Sequence, residues 1–332
     1  MFPFLHSLVI IHQYHLLFPY QIRLLRLNLH LHRCYEYLII VVSIILKVPT
    51  INDKPKDFQC LFQLWQQVPE NAKEVIFDFS KCHFLRPNAV AFLGGLARLI
   101  ESRGGKVIFD WDTVKRHVCM NLKQNGFLYA FNGADEPWQG NSIPYREDLS
   151  QDRDGLIHYL AEQWLGRNWV HISDYLRALI VGTTWEIYAN AFEHGQTDIG
   201  VFSCGQYYPK LRELKLTVVD FGVGIPHNVR DFRKIPNLPA EQALQWAFQK
   251  GTTTRIGNVT GGIGLDYLKK FVHINKGKLQ ILSHDGCATI DEEQEVYENK
   301  QTFFGGTLVN ITLLCDESYY ALGFEADDEP LF

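Results

Sequence analysis

Between residues 38 and 127 the chain switches repeatedly between two hydrophobic periods, and this constrains its fold more than any other feature. Three short runs rich in β-branched and aromatic residues, LIIVVSIIL (38–46), EVIFDFS (74–80) and KVIFDWD (106–112), look like strands. Between them, DFQCLFQLWQQV (57–68) places Phe58, Leu61, Phe62, Trp65 and Val68 at helical spacing. Pro87 precedes NAVAFLGGLARLIESRG, a predicted helix stopped by Gly104 and Gly105. Residues 113–127 read as another helix with a glycine stop. Strand alternating with helix predicts a small sheet with helices packed on it, an α/β domain.

Residues 132–152 break both periods. Gly133, Pro137, Gly140 and Pro144 punctuate a polar stretch, and the reading places a linker there. It divides a first domain at 37–131 from a second at 153–320, itself α/β, with an N-terminal extension at 1–36 and an acidic tail at 321–332. In the second domain 174–194 is long enough for a core helix, with Leu176, Leu179, Ile180, Thr183, Ile187 and Ala191 tracing an apolar stripe. Strands are predicted at 215–222, 278–283 and 306–315, and helices at 244–251 and 261–274.

The 332 residues suffice for two domains of ordinary size. A net charge of -5 supplies no basic field for nucleic acid, so no specific nucleic-acid binding is expected, and it suits a cytoplasmic protein. The seven cysteines form no C-x-x-C pair, which argues against a zinc ribbon or a redox pair. Residues 1–36 interleave leucine and histidine without a continuous apolar core, and the longest apolar run nearby, 38–42, is far short of the roughly 20 residues of a membrane span. Three readings stand for this extension: a helical or poorly ordered arm, a peripheral membrane segment, or translated upstream sequence outside the natural product. The first and third are favoured, and membrane attachment is not expected.

Three segments carry chemistry. In WEIYANAFEHG (185–195), Glu186, Asn190 and His194 recur every four residues and share one helix face. An asparagine oxygen is a fitting ligand for Mg2+, and a glutamate one turn away can orient or deprotonate an attacking hydroxyl. On this segment alone a solvated helix face fits as well. In VVDFGVGIP (218–226) a strand delivers Asp220 to a turn eased by Gly222 and Gly224. A fixed carboxylate there can accept from the adenine amine and reject the guanine carbonyl, although a plain turn reads the same way. In KGTTTRIGNVTGGIGLDYL (250–268), Gly257, Gly261, Gly262 and Gly264 lead into a helix whose first amides can cradle phosphates, with Lys250 and Arg255 adding positive charge. The glycines match neither the Rossmann fingerprint nor a Walker A loop.

In this order and spacing, the three segments resemble the GHKL, or Bergerat-fold, ATPases: gyrase, Hsp90, histidine kinases and MutL. WEIYANAFEHG is similar to the N box, which implies Glu186 as catalytic carboxylate and Asn190 as Mg2+ ligand. DFGVGI is similar to the G1 box, with Asp220 reading adenine, and TGGIGL to the G2 box, whose amides contact the triphosphate. FFGGTLVNITL (303–313) resembles the last core strand, where Thr307 would support the water around adenine, and 226–260 would be the ATP lid. His194 after the N box makes the domain look closest to the anti-sigma-factor kinases and histidine kinases. No transducer domain and no phosphoacceptor-histidine helix is recognisable beside it.

The first domain, from 74 to 126, resembles the STAS domain of anti-sigma-factor antagonists, and an unrelated small α/β domain remains the alternative. In that family a turn after the strand holds an Asp-Ser phosphoacceptor pair. Here Arg86, Pro87 and Asn88 stand at that turn, and none bears a hydroxyl. The expectation is therefore a Mg2+-dependent ATP-binding regulator, an ATPase or serine kinase acting on a protein partner, with homodimerisation possible. The alternative is an ATP-gated interaction module without significant turnover.

Overall fold

The computed structural model describes residues 43–133, 136–138, 140–249 and 263–326. The extension at 1–36, the first part of the 38–46 strand, the glycine-rich stretch with Lys250, Arg255, Gly257, Gly261 and Gly262, and the end of the acidic tail lie outside the described residues. The architecture is mixed α/β, built on two sheets of three and five strands with a two-stranded pairing beside them.

The first sheet holds β1 (Ser43–Lys47), β2 (Glu74–Asp78) and β3 (Lys106–Asp110), all parallel and in that spatial order. Parallel neighbours require crossovers, and two helices supply them. In α1 (Pro55–Gln66), proline takes the first position and Asp57 accepts the Lys54 amide at 3.0 Å, closing the first turn. In α2 (Pro87–Ser102), proline again opens the helix, and Gly104 ends it in a left-handed conformation at φ 78. Every residue from Pro87 to Ala97 is buried. A helix buried all round must be covered on both sides. The first sheet covers one side of α2, and the second sheet covers the other.

Two short helices follow, α3 (Arg116–Gln124) and α4 (Phe127–Asn132), hinged at Gly126. The stretch read as a linker then departs from expectation, because β4 (Ser142–Asp148) lies inside it and is the edge strand of the second sheet. Its proline hid it. Pro144 is tolerated because β4 is an edge strand and its register shifts between Ile143 and Arg146. Next come α5 (Arg153–His158), prolonged by a π-helical stretch over Tyr159–Trp164, the short β5 (His171–Ile172), and α6 (Asp174–His194). Ser173 caps α6 by accepting the Leu176 amide at 3.1 Å.

After α6 run β6 (Val201–Tyr208) and β7 (Glu213–Asp220), then α7 (Gly224–Arg233), which starts two residues ahead of the expected lid, and α8 (Ala240–Ala247), which lies within it. The chain closes with α9 (Ile263–Ile274), β8 (Lys278–Asp291), β9 (Glu295–Leu314), β10 (Tyr319–Tyr320) and α10 (Gly323–Ala326). The second sheet is antiparallel throughout, in the order β4-β6-β7-β9-β8.

Its strands alternate between two apolar faces. Leu214, Leu216, Val218, Leu279, Ile281, Val309 and Ile311 pack under α5, α6 and α9. Phe202, Cys204, Val219, Leu282, Phe304 and Leu308 face α1 and α2 instead, and their core continues into that of the first sheet. Phe62 of α1 stacks on Phe304 with ring centres 4.9 Å apart, and Trp65 meets the same ring edge-on. Among the described residues no helix is long and apolar enough to cross a membrane.

Candidate functional site

The C-terminal end of α6 abuts the turn that follows β7. Ser173 and Leu176 start the helix, and the buried Leu176, Ile180, Thr184 and Tyr188 press one face onto the sheet. The opposite face carries Glu186 and Asn190, both exposed, and the half-buried His194. At 1.5 Å of rise per residue, Asn190 lies about 7.5 Å and Glu186 about 13.5 Å along the axis from Gly195. Gly195 ends the helix, and its carbonyl accepts the Val223 amide at 2.8 Å. The Asn228 side chain of α7 donates to the His194 carbonyl at 3.1 Å and to the Gly224 carbonyl at 3.2 Å. The His194 backbone is thus tied to the turn.

Asp220 is the last residue of β7 and pairs in register with Thr307 of β9. It is only 5 % exposed. The Gly222 amide donates to its Oδ1 at 2.9 Å, and Thr307 donates through backbone and hydroxyl. Burial nevertheless dominates those donors and pushes the carboxyl up to about 6. The glycines let the backbones close in. A Cβ at Gly222 would stand 1.9 Å from the Gly195 carbonyl, and Gly224 holds φ 76 with the Gly305 carbonyl 2.7 Å from where its Cβ would be. A side chain at Gly195 would fill the approach to Asp220, since a Cβ there would come within 3.6 Å of Oδ1.

Two residues without a sequence signal complete this corner. Ser283 of β8 is fully buried. It accepts the Ile225 amide at 3.0 Å, donates to the Gly306 carbonyl at 2.9 Å, and lies 3.2 Å from the Thr307 hydroxyl. His284 sits where β8 shifts register, at φ 56. Burial lowers its pKa, and Arg230 adds to that, so the neutral ring is favoured. Arg230 Nη1 donates to Nδ1 at 3.1 Å, which assigns the proton to Nε2, donating to the Val223 carbonyl at 2.8 Å. Ser283 and His284 pin the β7–α7 turn to a strand some sixty residues away, and no local pattern could announce that.

The structure therefore brings together Asp220, Thr307, Gly222 and Gly224 with the C-terminal end of the helix that bears Glu186, Asn190 and His194. Gly264 lies in the first turn of α9, which packs beside α6. The hollow between α1 and the β8–β9 hairpin, about 190 Å³, is lined by Phe58, Phe62, Lys278, Thr289 and Lys300 and shares no residue with this cluster. At the other turn singled out in the sequence, Asn88 is fully buried and donates to the Asn52 carbonyl at 2.8 Å, and the Arg86 guanidinium lies 4.0 Å above the Tyr208 ring.

The cluster offers a buried acceptor at a strand end, glycines that let the surrounding backbones pack closely around it, and oxygen and carboxylate groups on an adjoining helix face. A carboxylate of this kind can accept from an amine, and an asparagine oxygen can serve as a ligand to a hard divalent cation. Comparison with protein-family models gives no match, and comparison with curated proteins gives none.

Proposed function

We propose that the chain is a Mg2+-dependent ATP-binding regulator of the Bergerat type, joined to a STAS-like unit, with ATPase or serine-kinase-like turnover. The observation that carries this reading is the Asp220 carboxylate. It is buried at a strand end, flanked by Thr307, and set against the end of the helix bearing Asn190 and Glu186. Burying a carboxyl this deeply costs stability, and carboxyls whose pKa burial shifts in this way cluster at functional sites. Asp220 would accept from the adenine amine, and Thr307 would hold the carboxylate in place. Asn190 would hold Mg2+, which would neutralise charge on the phosphates. Glu186 would orient or deprotonate the attacking hydroxyl, while the glycine-rich stretch with Lys250, Arg255, Gly261, Gly262 and Gly264 would take the triphosphate.

Two measurements test this. Titration of the full chain should show ATP bound over GTP, and Asp220→Asn should erode that preference by about 1–3 kcal/mol, the worth of a mismatched buried polar contact. Equal affinity of the parent for the two nucleotides would refute the base-reading role. Glu186→Ala should lower phosphate release by about 100- to 10,000-fold, with ATP affinity nearly unchanged. Clear parental turnover left intact in that variant would remove Glu186 from the chemistry.

A second reading, an ATP-gated interaction module, is favoured by one observation. The turn at Arg86, Pro87 and Asn88 offers no acceptor hydroxyl and is occupied by packing. Parental phosphate release at background, with or without cell extract to supply a partner, would select it. Either form would act in the cytoplasm through a regulatory protein partner, alone or as a homodimer.

A further inference from the structure

The residue after Asp220 faces away from the site. The Phe221 ring packs against Phe92 of α2 at 5.1 Å, against Phe304 edge-on at 5.3 Å, and against Phe202 at 6.3 Å. α2 crosses directly over it at Gly95. A Cβ there would stand 2.3 Å from Phe221 Cε2 and 2.7 Å from Phe202 Cδ2. The adjacent Gly94 makes the same allowance for Tyr145 of β4, whose hydroxyl would be 2.0 Å from an added Cβ. Glycine inside a helix costs about 1 kcal/mol relative to alanine, so adjacent glycines in a sixteen-residue helix imply that close approach is required.

The backbone between the two side chains has no slack. A Cβ at Gly306 would lie 2.0 Å from the Asp220 carbonyl and 2.9 Å from Phe221 Cα, and Gly222 is pressed on the Gly195 carbonyl. A shift of the Phe221 ring must therefore turn the peptide that carries Asp220, because close-packed neighbours transmit displacement.

We propose that Phe221 is a positioning residue for Asp220: α2 of the N-terminal unit, passing over Phe221 at Gly95, sets the direction of the carboxylate and so tunes the base selectivity of the nucleotide site. This inference rests on the nucleotide reading given above. It makes the N-terminal unit part of the site's wall rather than a separate module that visits it.

The test is titration of the full chain with Mg-ATP and Mg-GTP, beside the melting temperature of the unliganded protein. Gly95→Ala drives a methyl into Phe221 and should cut the ATP-over-GTP preference roughly tenfold, the effect of misaligning one buried hydrogen bond. Gly94→Ala strikes Tyr145 from the same helix without touching Phe221. It should lower the melting temperature similarly and keep the preference. Phe221→Leu should reduce the preference by itself and restore it only in part when combined with Gly95→Ala, because leucine relieves the contact at Phe221 while Phe202 Cδ2 still stands 2.7 Å from the added methyl.

Parental preference surviving in both Gly95→Ala and Phe221→Leu would overturn the inference, as would equal loss of it in Gly94→Ala. If Gly95→Ala does not fold, Phe221→Leu against Gly94→Ala decides by the same criterion. A parent that binds the two nucleotides equally, or neither, sinks the base-reading role and this inference with it. A selective parent with unaffected variants sinks this inference alone.

Discussion

Asp220 opposes folding at neutral pH. Its carboxyl is pushed up to about 6 by burial, against an ordinary 3.8. A group whose folded pKa is raised binds its proton more tightly in the folded state, so its unfavourable contribution is absent below about 4 and grows as pH rises through about 6. With each pKa unit worth about 1.4 kcal/mol, the penalty above pH 7 is on the order of 3 kcal/mol. Asp220→Asn should therefore raise the melting temperature of the unliganded protein at pH 7.5 and leave it nearly unchanged at pH 4. A donor such as an adenine amine favours the ionised carboxylate. ATP affinity should thus strengthen between pH 5 and 7, and the part of that slope belonging to Asp220 should vanish in the asparagine variant. Titrating both proteins removes the nucleotide's own phosphate ionisation, which they share. An identical slope in the two would show that Asp220 does not exchange its proton on binding.

At the scale of elements, α6 holds one end of the cluster, and its bounds follow from local chemistry. Ser173 caps it by accepting the Leu176 amide, and its hydroxyl donates to Glu325 at 2.7 Å. Ser173→Ala should cost about 1 kcal/mol of stability by denaturant unfolding. ATP affinity should not change, because the cap lies twenty-two residues from Gly195. A large loss of affinity would mean that the whole helix shifts with its cap. That helix was legible because its apolar stripe is long and a polar capping residue and a glycine bracket it. β4 was not, since Pro144 and the polar residues around it read as loop, and its pairing with β6 is a tertiary event. β6 was missed too. Gly205 and Gln206 interrupt its apolar run, although a Cβ at Gly205 would meet the Lys215 carbonyl at 2.5 Å, so the glycine serves close packing in the sheet. Within the site, Asp220, Gly222 and Gly224 were legible as a strand end running into a turn. Ser283, His284 and Asn228 were not, because their partners are set by strand order and helix docking rather than by spacing.

At the scale of the whole molecule, the seam between the two sheets combines an aromatic half with a polar one. Lys215 of β7 is 4 % exposed, and its ammonium meets Asp53, from the loop before α1, at 2.6 Å, Glu213 at 3.0 Å and the Thr312 hydroxyl at 3.1 Å. Beside it Thr217 donates to Asn310 at 2.7 Å in a fully enclosed layer. Burial alone would push the Asp53 carboxyl up. The charge and hydrogen bond of Lys215, with help from Arg86, outweigh it and hold the pKa below its ordinary value. Its contribution is accordingly present above about pH 4 and is lost as pH falls through the depressed folded value, the reverse of Asp220. Asp53→Ala leaves the buried ammonium with Glu213 as its remaining carboxylate. The expected loss is about 2 kcal/mol, less than the ~3–5 kcal/mol of a buried charge left wholly unpaired. Replacing Lys215 by methionine in that background should recover most of it, because an apolar side chain of similar length needs no partner. If the two sheets fold as one cooperative body, calorimetry of the parent should give a single transition whose calorimetric and van't Hoff enthalpies agree, and Asp53→Ala should move that transition without splitting it. A variant that resolves two transitions would mean that the shared aromatic core does not couple the sheets, and that Asp53–Lys215 was the contact holding them together.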